Sequence, residues 1–290
     1  MMQDLIDLHT HSTASDGSET PARILRLARE QGLRAVALTD HDTVSGLPEF
    51  LAAAEQEPVE AIPGVELSTM LFSKELHIVG LFLHPETPEL LHLLERMRSG
   101  RETRNREIIL KLSAAGFDVS YEELLQEAGG ESIGRPHIAA LLLRKGYFKT
   151  MQDAFDQYLK RGCRCYVARA LPEPAEAIRA IHAAGGLAIW AHPVSGQSGE
   201  RAFARKMLRK LVPAGLDGVE VRYSMFSEHQ TELMTELADA EGILKSGGSD
   251  FHGTNQPNIR IGCGCGSLAV PFDYLEAMRD RLAERKGMSL

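Results

Sequence analysis

The stretch Leu5-Ile6-Asp7-Leu8-His9-Thr10-His11 decides how this chain is read. A short apolar run ends in two histidines separated by one residue. Side chains alternate between the faces of a strand, so His9 and His11 point the same way and can grip one cation together. Asp16 follows closely. The pattern of a metal-ligand residue at or beside a short apolar run then recurs along the chain. Asp40 and His41 close A-L-T-D-H-D, Glu66 lies in P-G-V-E-L-S, and His77 lies in L-H-I-V-G. His192 ends I-W-A-H-P, and Asp250 with His252 stands in G-G-S-D-F-H-G. Barrels built from β-α units gather their chemistry at the downstream ends of their strands. Histidine and carboxylate together suit a polynuclear hydrolytic metal site.

The segments between these residues support such a barrel. Strands are expected at Leu5 to His9, Ala35 to Thr39, Ala61 to Leu67, Leu76 to Leu83, Leu187 to Ala191, Gly218 to Arg222 and Leu244 to Gly247. Helical periodicity separates many of them, as in Pro21 to Gln31, where Thr20 is a sound N-cap and Gly32 a stop. Seven strands alternating with helices predict a parallel sheet closed into a barrel. The rhythm breaks between Glu86 and Arg169, where long, charged helical segments predominate. The expected organisation is therefore an α/β barrel over residues 1–85 and 170–290, with a mainly helical insertion, 86–169, covering the active site.

Bulk composition narrows the function. The chain has 290 residues, 43% of them hydrophobic, enough for a substantial core. A net charge of −8 argues against broad binding to duplex nucleic acid. It leaves room for a small phosphate-bearing substrate, because bound cations invert the local sign. No apolar run is long enough to span a bilayer, and the N-terminal M-M-Q-D-L-I-D-L-H lacks a signal-peptide pattern. A cytoplasmic protein is expected, with Cys163/Cys165 and Cys263/Cys265 as reduced thiols. The sequence carries no signal of oligomeric state, and a monomer is the starting expectation.

Several candidate ligands have a physical reason to be unusual. Asp40-His41-Asp42 directly follows a buried strand, and buried charge is costly unless paired or metal-bound. Glu66 stands alone between apolar neighbours, and its two oxygens suit it to bridging two cations. Gly247-Gly248 lets the backbone bend tightly ahead of Asp250. Asp40 is the least certain ligand. His84, His92, His182 and His229 are expected to lie outside the site, and Arg222 and Tyr223 leave their strand towards it.

In order and spacing, the motifs H-T-H, T-D-H-D, P-G-V-E, H-I-V-G, A-H-P and G-S-D-F-H-G resemble those of the PHP (polymerase and histidinol phosphatase) metal-dependent phosphoesterases. The likeness is strongest to the branch of 3′,5′-nucleoside bisphosphate phosphatases and 5′-to-3′ exoribonucleases. This resemblance implies a distorted seven-stranded barrel holding two or three divalent ions, manganese first, with iron or zinc as alternatives. It implies a first metal on His9, His11, Glu66 and Asp250, and a second on Glu66, His77 and His192. A third would sit on Asp16, His41 and His252. In many relatives a histidine stands in place of Asp16; aspartate fits the nucleotide branch. Within S-I-G-R-P-H, the resemblance implies that Arg135 and His137 reach a substrate phosphate, Arg being a natural fork for its oxygens.

The expected reaction is hydrolysis of a phosphomonoester or a terminal phosphodiester in a nucleotide or short RNA. Glu66, Asp250 and His252 are the expected catalytic residues, with His252 helping the leaving oxygen where it is not a ligand. Two alternatives remain open: a phosphatase for a small metabolite such as histidinol phosphate, and a metal-binding barrel without catalysis.

Overall fold

Strand β1 (Leu5–Asp7) is three residues long, yet it anchors the sheet. It pairs in parallel with β2 (Ala35–Leu38), and β2 pairs in parallel with β3 (Glu60–Leu71). Further round stand β4 (Lys74–Leu81), β5 (Leu187–Trp190), β6 (Gly218–Tyr223) and β7 (Leu244–Gly248). The computed structural model describes residues 4–128, 130–196 and 199–288. Its sheet order is β7-β6-β5-β4-β3-β2-β1-β8, where β8 is the short Val270–Pro271.

Backbone bonds between the ends of the sheet bring it nearly to closure. Leu8 N–H donates to Gly247 C=O at 3.1 Å, and Asp250 N–H donates to His9 C=O at 2.9 Å. Gly248 is required here. A Cβ at this position would lie 2.4 Å from His9 Cβ and 2.5 Å from His9 N. The tight bend expected at the Gly-Gly pair is thus an approach of β7 to the first histidine strand.

The seven expected strands are present, with two differences. The eighth, β8, runs antiparallel to β1. The sheet is also not uniformly parallel, since β4 runs antiparallel to both β3 and β5. Only Phe72 and Ser73 connect β3 to β4, both at positive φ (49° and 61°). That is the signature of a type I′ hairpin, and a two-residue connection cannot make a parallel crossover.

Helices α1 (Pro21–Glu30) and α2 (Leu47–Ala54) pack on one side of the barrel, and α7 (Pro174–Ala183), α8 (Glu200–Leu211) and α9 (Glu228–Glu241) on another; α10 (Asp273–Met288) closes the base. Between β4 and α7 come α3 (Pro88–Ala114), α4 (Tyr121–Ala128), α5 (Arg135–Arg144) and α6 (Met151–Ala154), the last continuing as a π-helical turn over Phe155–Leu159. The long α3 serves two cores. Leu90, Leu93, Leu94 and Met97 pack into the barrel layer, whereas Ile108, Ile109 and Leu112 join Leu124, Ile138, Leu141 and Leu142 in a separate helical core. No helix among the described residues is long and apolar enough to cross a membrane.

Candidate metal centre

Residues on or just beyond six strands build one rim. Beyond β1, Thr10 turns its hydroxyl outward to donate to Ala37 C=O at 2.6 Å, which leaves His9 and His11 facing inward. His41 follows β2 and bridges in parallel to Glu66 on β3. The register Ser68↔His77 puts Glu66 and His77 on the same face of the β3–β4 hairpin. His192 and Asp250 follow β5 and β7, both at positive φ (32° and 57°), as is Asp42 after β2 (54°). Three non-glycine residues in this region at one rim mark a site whose surroundings hold the backbone in a costly conformation.

Glu66 is the hub. Its Oε2 lies 2.7 Å from His41 Nδ1 and 3.5 Å from both His9 Nε2 and His11 Nε2. Its Oε1 lies 2.9 Å from His77 Nδ1 and 3.0 Å from His192 Nε2. Asp250 Oδ1 is 3.1 Å from His11 Nε2 and 3.6 Å from His9 Nε2. Asp16 Oδ1 is 3.3 Å from His252 Nε2 and 3.9 Å from His41 Nε2. All nine residues expected as ligands are therefore brought together at one rim.

Their donor atoms fit divalent cations. His9 Nε2, both nitrogens of His11, His41 Nδ1 and Glu66 Oε2 are buried without a hydrogen-bond partner, despite the short separations. Each such orphan costs about 1–3 kcal/mol, a penalty that shared cations would relieve. Three groups have ligand atoms mutually within 4.8 Å: His9, His11 and Asp250; His41, Glu66 and His77; and His11, Asp16, His41 and His252. His41 thus faces Glu66 with one nitrogen and Asp16 with the other. Burial, with His252 and His41 nearby, lowers the His11 pKa to about 3 and keeps its ring neutral, the form that binds metal. Burial also opposes charge on His77, but Glu66 and Glu75 outweigh it and raise its pKa to about 10.

Supporting residues fix these ligands. Glu220 on β6 accepts from His9 Nδ1 at 2.8 Å and from the His192 N–H at 2.6 Å. Asp7 accepts from the N–H groups of His9, Ser249 and Gly262. Tyr223 donates to Asp250 Oδ2 at 2.9 Å, which places it at the site. Asp40, the least certain ligand, has a different part. Its carboxylate is occupied by Ser12 N–H at 2.8 Å, Ser12 Oγ at 2.7 Å and Ser15 Oγ at 2.5 Å. It shapes the loop carrying Asp16 rather than facing the cluster.

Beside the cluster, Asp16, His41 and His77 share a cleft with Arg101, Arg104, Arg135 and Arg169. Asp42 organises two of these arginines. It accepts from Arg101 Nε at 2.8 Å and Arg169 Nη1 at 3.0 Å, and from Ser68 N–H at 2.7 Å. Burial works against its charge, but Arg101 and Arg169 prevail and hold its carboxyl well below the usual range. Arg104 is 7% exposed, and its Nε and Nη2 have no partner.

The two residues expected from S-I-G-R-P-H part company. Arg135 lines the cleft, whereas His137 is buried, with Nδ1 accepting from Gly134 N–H at 3.0 Å and the ring also bonded to the Ser15 backbone. Its polar atoms tie α5 to the Asp16 loop.

The PHP domain family model matches residues 7–162. A 5′-3′ exoribonuclease of Haemophilus influenzae is 37% identical over 247 residues, 85% of this chain and 89% of that protein. A 3′,5′-nucleoside bisphosphate phosphatase of Chromobacterium violaceum is 34% identical over 258 residues, 89% of this chain and 90% of that protein. Among solved structures, a protein of Bifidobacterium adolescentis assigned as a metal-dependent phosphoesterase superposes with a TM-score of 0.87 at 29% identity, over 97% of both chains.

Proposed function

This chain belongs to the PHP domain family, and on that premise we propose that it is a metal-dependent phosphoesterase for nucleotides. Its main reaction would remove the 3′-phosphate from 3′,5′-nucleoside bisphosphates, and it would also release 5′-terminal nucleotides from short RNA. The observation that carries this reading is the Glu66-centred cluster opening onto an arginine-lined cleft.

His9, His11, Glu66 and Asp250 would hold one ion, Glu66, His77 and His192 a second, and Asp16, His41 and His252 a third. Divalent ions so placed polarise phosphoryl oxygens and supply a water nucleophile at neutral pH. Manganese is the first ion to test, then iron and zinc, since the donors are imidazole and carboxylate without thiolate. Tyr223 steadies Asp250, and Glu220 steadies His9 and the backbone at His192. Residues 86–169 act as an insertion over the site, contributing Arg101, Arg104, Arg135 and Arg169 as a receptor for a second, non-reacting phosphate. Where the Asp16 cluster carries no ion, His252 Nε2 is the proton source for the departing oxygen.

This arrangement unites two activities. With the 5′-phosphate among the arginines, the 3′-phosphorus lies at the cluster. In a bisphosphate the bond between that phosphorus and O3′ breaks to release inorganic phosphate. In RNA the same bond breaks, and the phosphorus carries away the rest of the chain. A cytoplasmic location, without duplex nucleic acid as a partner, accords with the net charge of −8 and the four free cysteines.

The test is a product assay with manganese across adenosine 3′,5′-bisphosphate, 5′-mononucleotides, histidinol phosphate and short 5′-phosphorylated RNA. The bisphosphate and the RNA should be consumed fastest. Preference for histidinol phosphate would overturn the choice of substrate.

A further inference from the structure

The arginine-lined space extends further than one phosphate requires. The inner cleft, about 170 Å³, adjoins the candidate metal ligands. An outer cleft of about 290 Å³ continues from it, and Glu75, Arg104, Arg135 and Arg169 line both. Beyond them the outer cleft reaches Arg161 and Tyr166. Four guanidiniums therefore line the outer cleft against the single carboxylate of Glu75. The rim is held in place, since Arg161 Nη1 donates to Ser73 C=O at 3.1 Å and the Arg135 guanidinium lies 5.7 Å from the centre of the Tyr166 ring. Arg104 stands where the clefts meet, more than nine-tenths buried, with Nε and Nη2 unpartnered. A buried guanidinium without an anion is costly, so this array is built for more negative charge than the chain supplies.

We propose that the outer cleft receives a second phosphate at the 5′ end of the substrate. The substrate class then includes 3′-phosphorylated nucleotides with a 5′-diphosphate or longer chain, and RNA with a 5′-polyphosphate end. This inference rests on the reading that the inner cleft holds the 5′-phosphate next to the ribose. With the inner phosphate on the shared arginines, a nucleobase in the outer cleft would leave Arg161 without an anion, whereas a β-phosphate brings oxygens to Arg161 and to the outer side of Arg104 and Arg135. The chemistry is unchanged. Water adds to the 3′-phosphorus, the bond from phosphorus to O3′ breaks, O3′ takes up a proton, and the 5′-anhydride stays intact.

The experiment compares inorganic phosphate release from adenosine 3′,5′-bisphosphate and adenosine 3′-phosphate 5′-diphosphate, with wild type and Arg161→Ala. Wild type should favour the 5′-diphosphate by about tenfold or more in kcat/KM, the effect of one added charge-assisted contact. In Arg161→Ala that ratio should fall to about one, with bisphosphate turnover showing that the variant is folded. If that variant does not fold, Arg161→Lys must retain a preference intermediate between wild type and one. Equal or poorer use of the 5′-diphosphate by wild type, with the bisphosphate still hydrolysed, would overturn the inference alone. Hydrolysis of neither compound would overturn the underlying phosphatase reading as well.

Discussion

Glu220 Oε1 accepts a hydrogen bond from His9 Nδ1 at 2.8 Å, while its Oε2 takes the backbone N–H of His192 at 2.6 Å. One buried carboxylate thus sets the tautomer of a ligand on β1 and the backbone position of a ligand after β5. With Nδ1 committed as a donor, Nε2 of His9 presents its lone pair to the cluster.

Glu220→Gln keeps the shape and removes the charge. Such partners are typically worth about 10- to 100-fold in metal affinity. The variant should therefore need that much more manganese for half-maximal activity, with turnover recovering at saturation. A manganese titration of activity reads this directly, and an unchanged midpoint would remove Glu220 from the account.

Arg104→Met tests the inner anion receptor. Loss of a charge-assisted contact of about 1.5–3 kcal/mol predicts roughly 10- to 100-fold lower kcat/KM for adenosine 3′,5′-bisphosphate. Adenosine 3′-monophosphate, with no 5′-phosphate to place, should be used as well as by wild type. An equal loss on both compounds would show that Arg104 acts on the scissile phosphate or on the fold.

The same substitution should change stability with a definite sign. Burial, then Arg101, Arg169 and Arg135, lowers the Arg104 pKa to about 9. A base with a depressed folded pKa destabilises the folded chain at every pH below that value, and the penalty fades as pH rises from there towards its unfolded pKa. Ligand-free Arg104→Met should thus melt above wild type near neutral pH, by a margin that narrows above about pH 9. Sulfate should raise the wild-type Tm more than that of the variant. A lower Tm for the variant at pH 7 would contradict this.

Asp42→Asn should loosen the helical segment. It removes the anion that joins Arg101 on α3 and Arg169 to the barrel. Breaking a buried pair from one side costs about 3–5 kcal/mol, so Tm should drop and limited proteolysis should accelerate within residues 86–169. KM for the bisphosphate should rise more than kcat falls, because the receptor rather than the cluster is disturbed. A fall confined to kcat would place Asp42 in the chemistry instead.

Much of the site was legible because its ligands are out of character with their surroundings. His9, Glu66 and His77 are polar residues in or beside strands that are otherwise apolar, and the structure places all three within one cluster. Glu220 obeys the same rule, since V-E-V on β6 repeats the V-E-L that marks Glu66, although Arg222 and Tyr223 beside it are the residues that the sequence singles out. Arg101 and Arg104 were hidden by their helix, where an i, i+3 pair looks like any charged face. Asp42, which pairs with Arg101 and Arg169, is 59 residues from the first and 127 from the second, a pairing that only folding makes. His137 differs from Arg135 in its surroundings for a geometric reason. Residues two apart on a helix do not share a face, so if Arg135 reaches the cleft, His137 turns away. The antiparallel direction of β4 is not legible in the sequence because Phe72-Ser73 is an unusual composition for a type I′ turn.

Glu66 stands at the centre of the proposed cluster, so the most direct test is anomalous diffraction from crystals soaked in manganese, in wild type and in Glu66→Ala. The account predicts ions in wild type at about 2.0–2.3 Å from the donor atoms, with Glu66 bridging two of them, and loss of both bridged ions in the variant. Anomalous peaks away from Glu66, or full occupancy without its carboxylate, would contradict it.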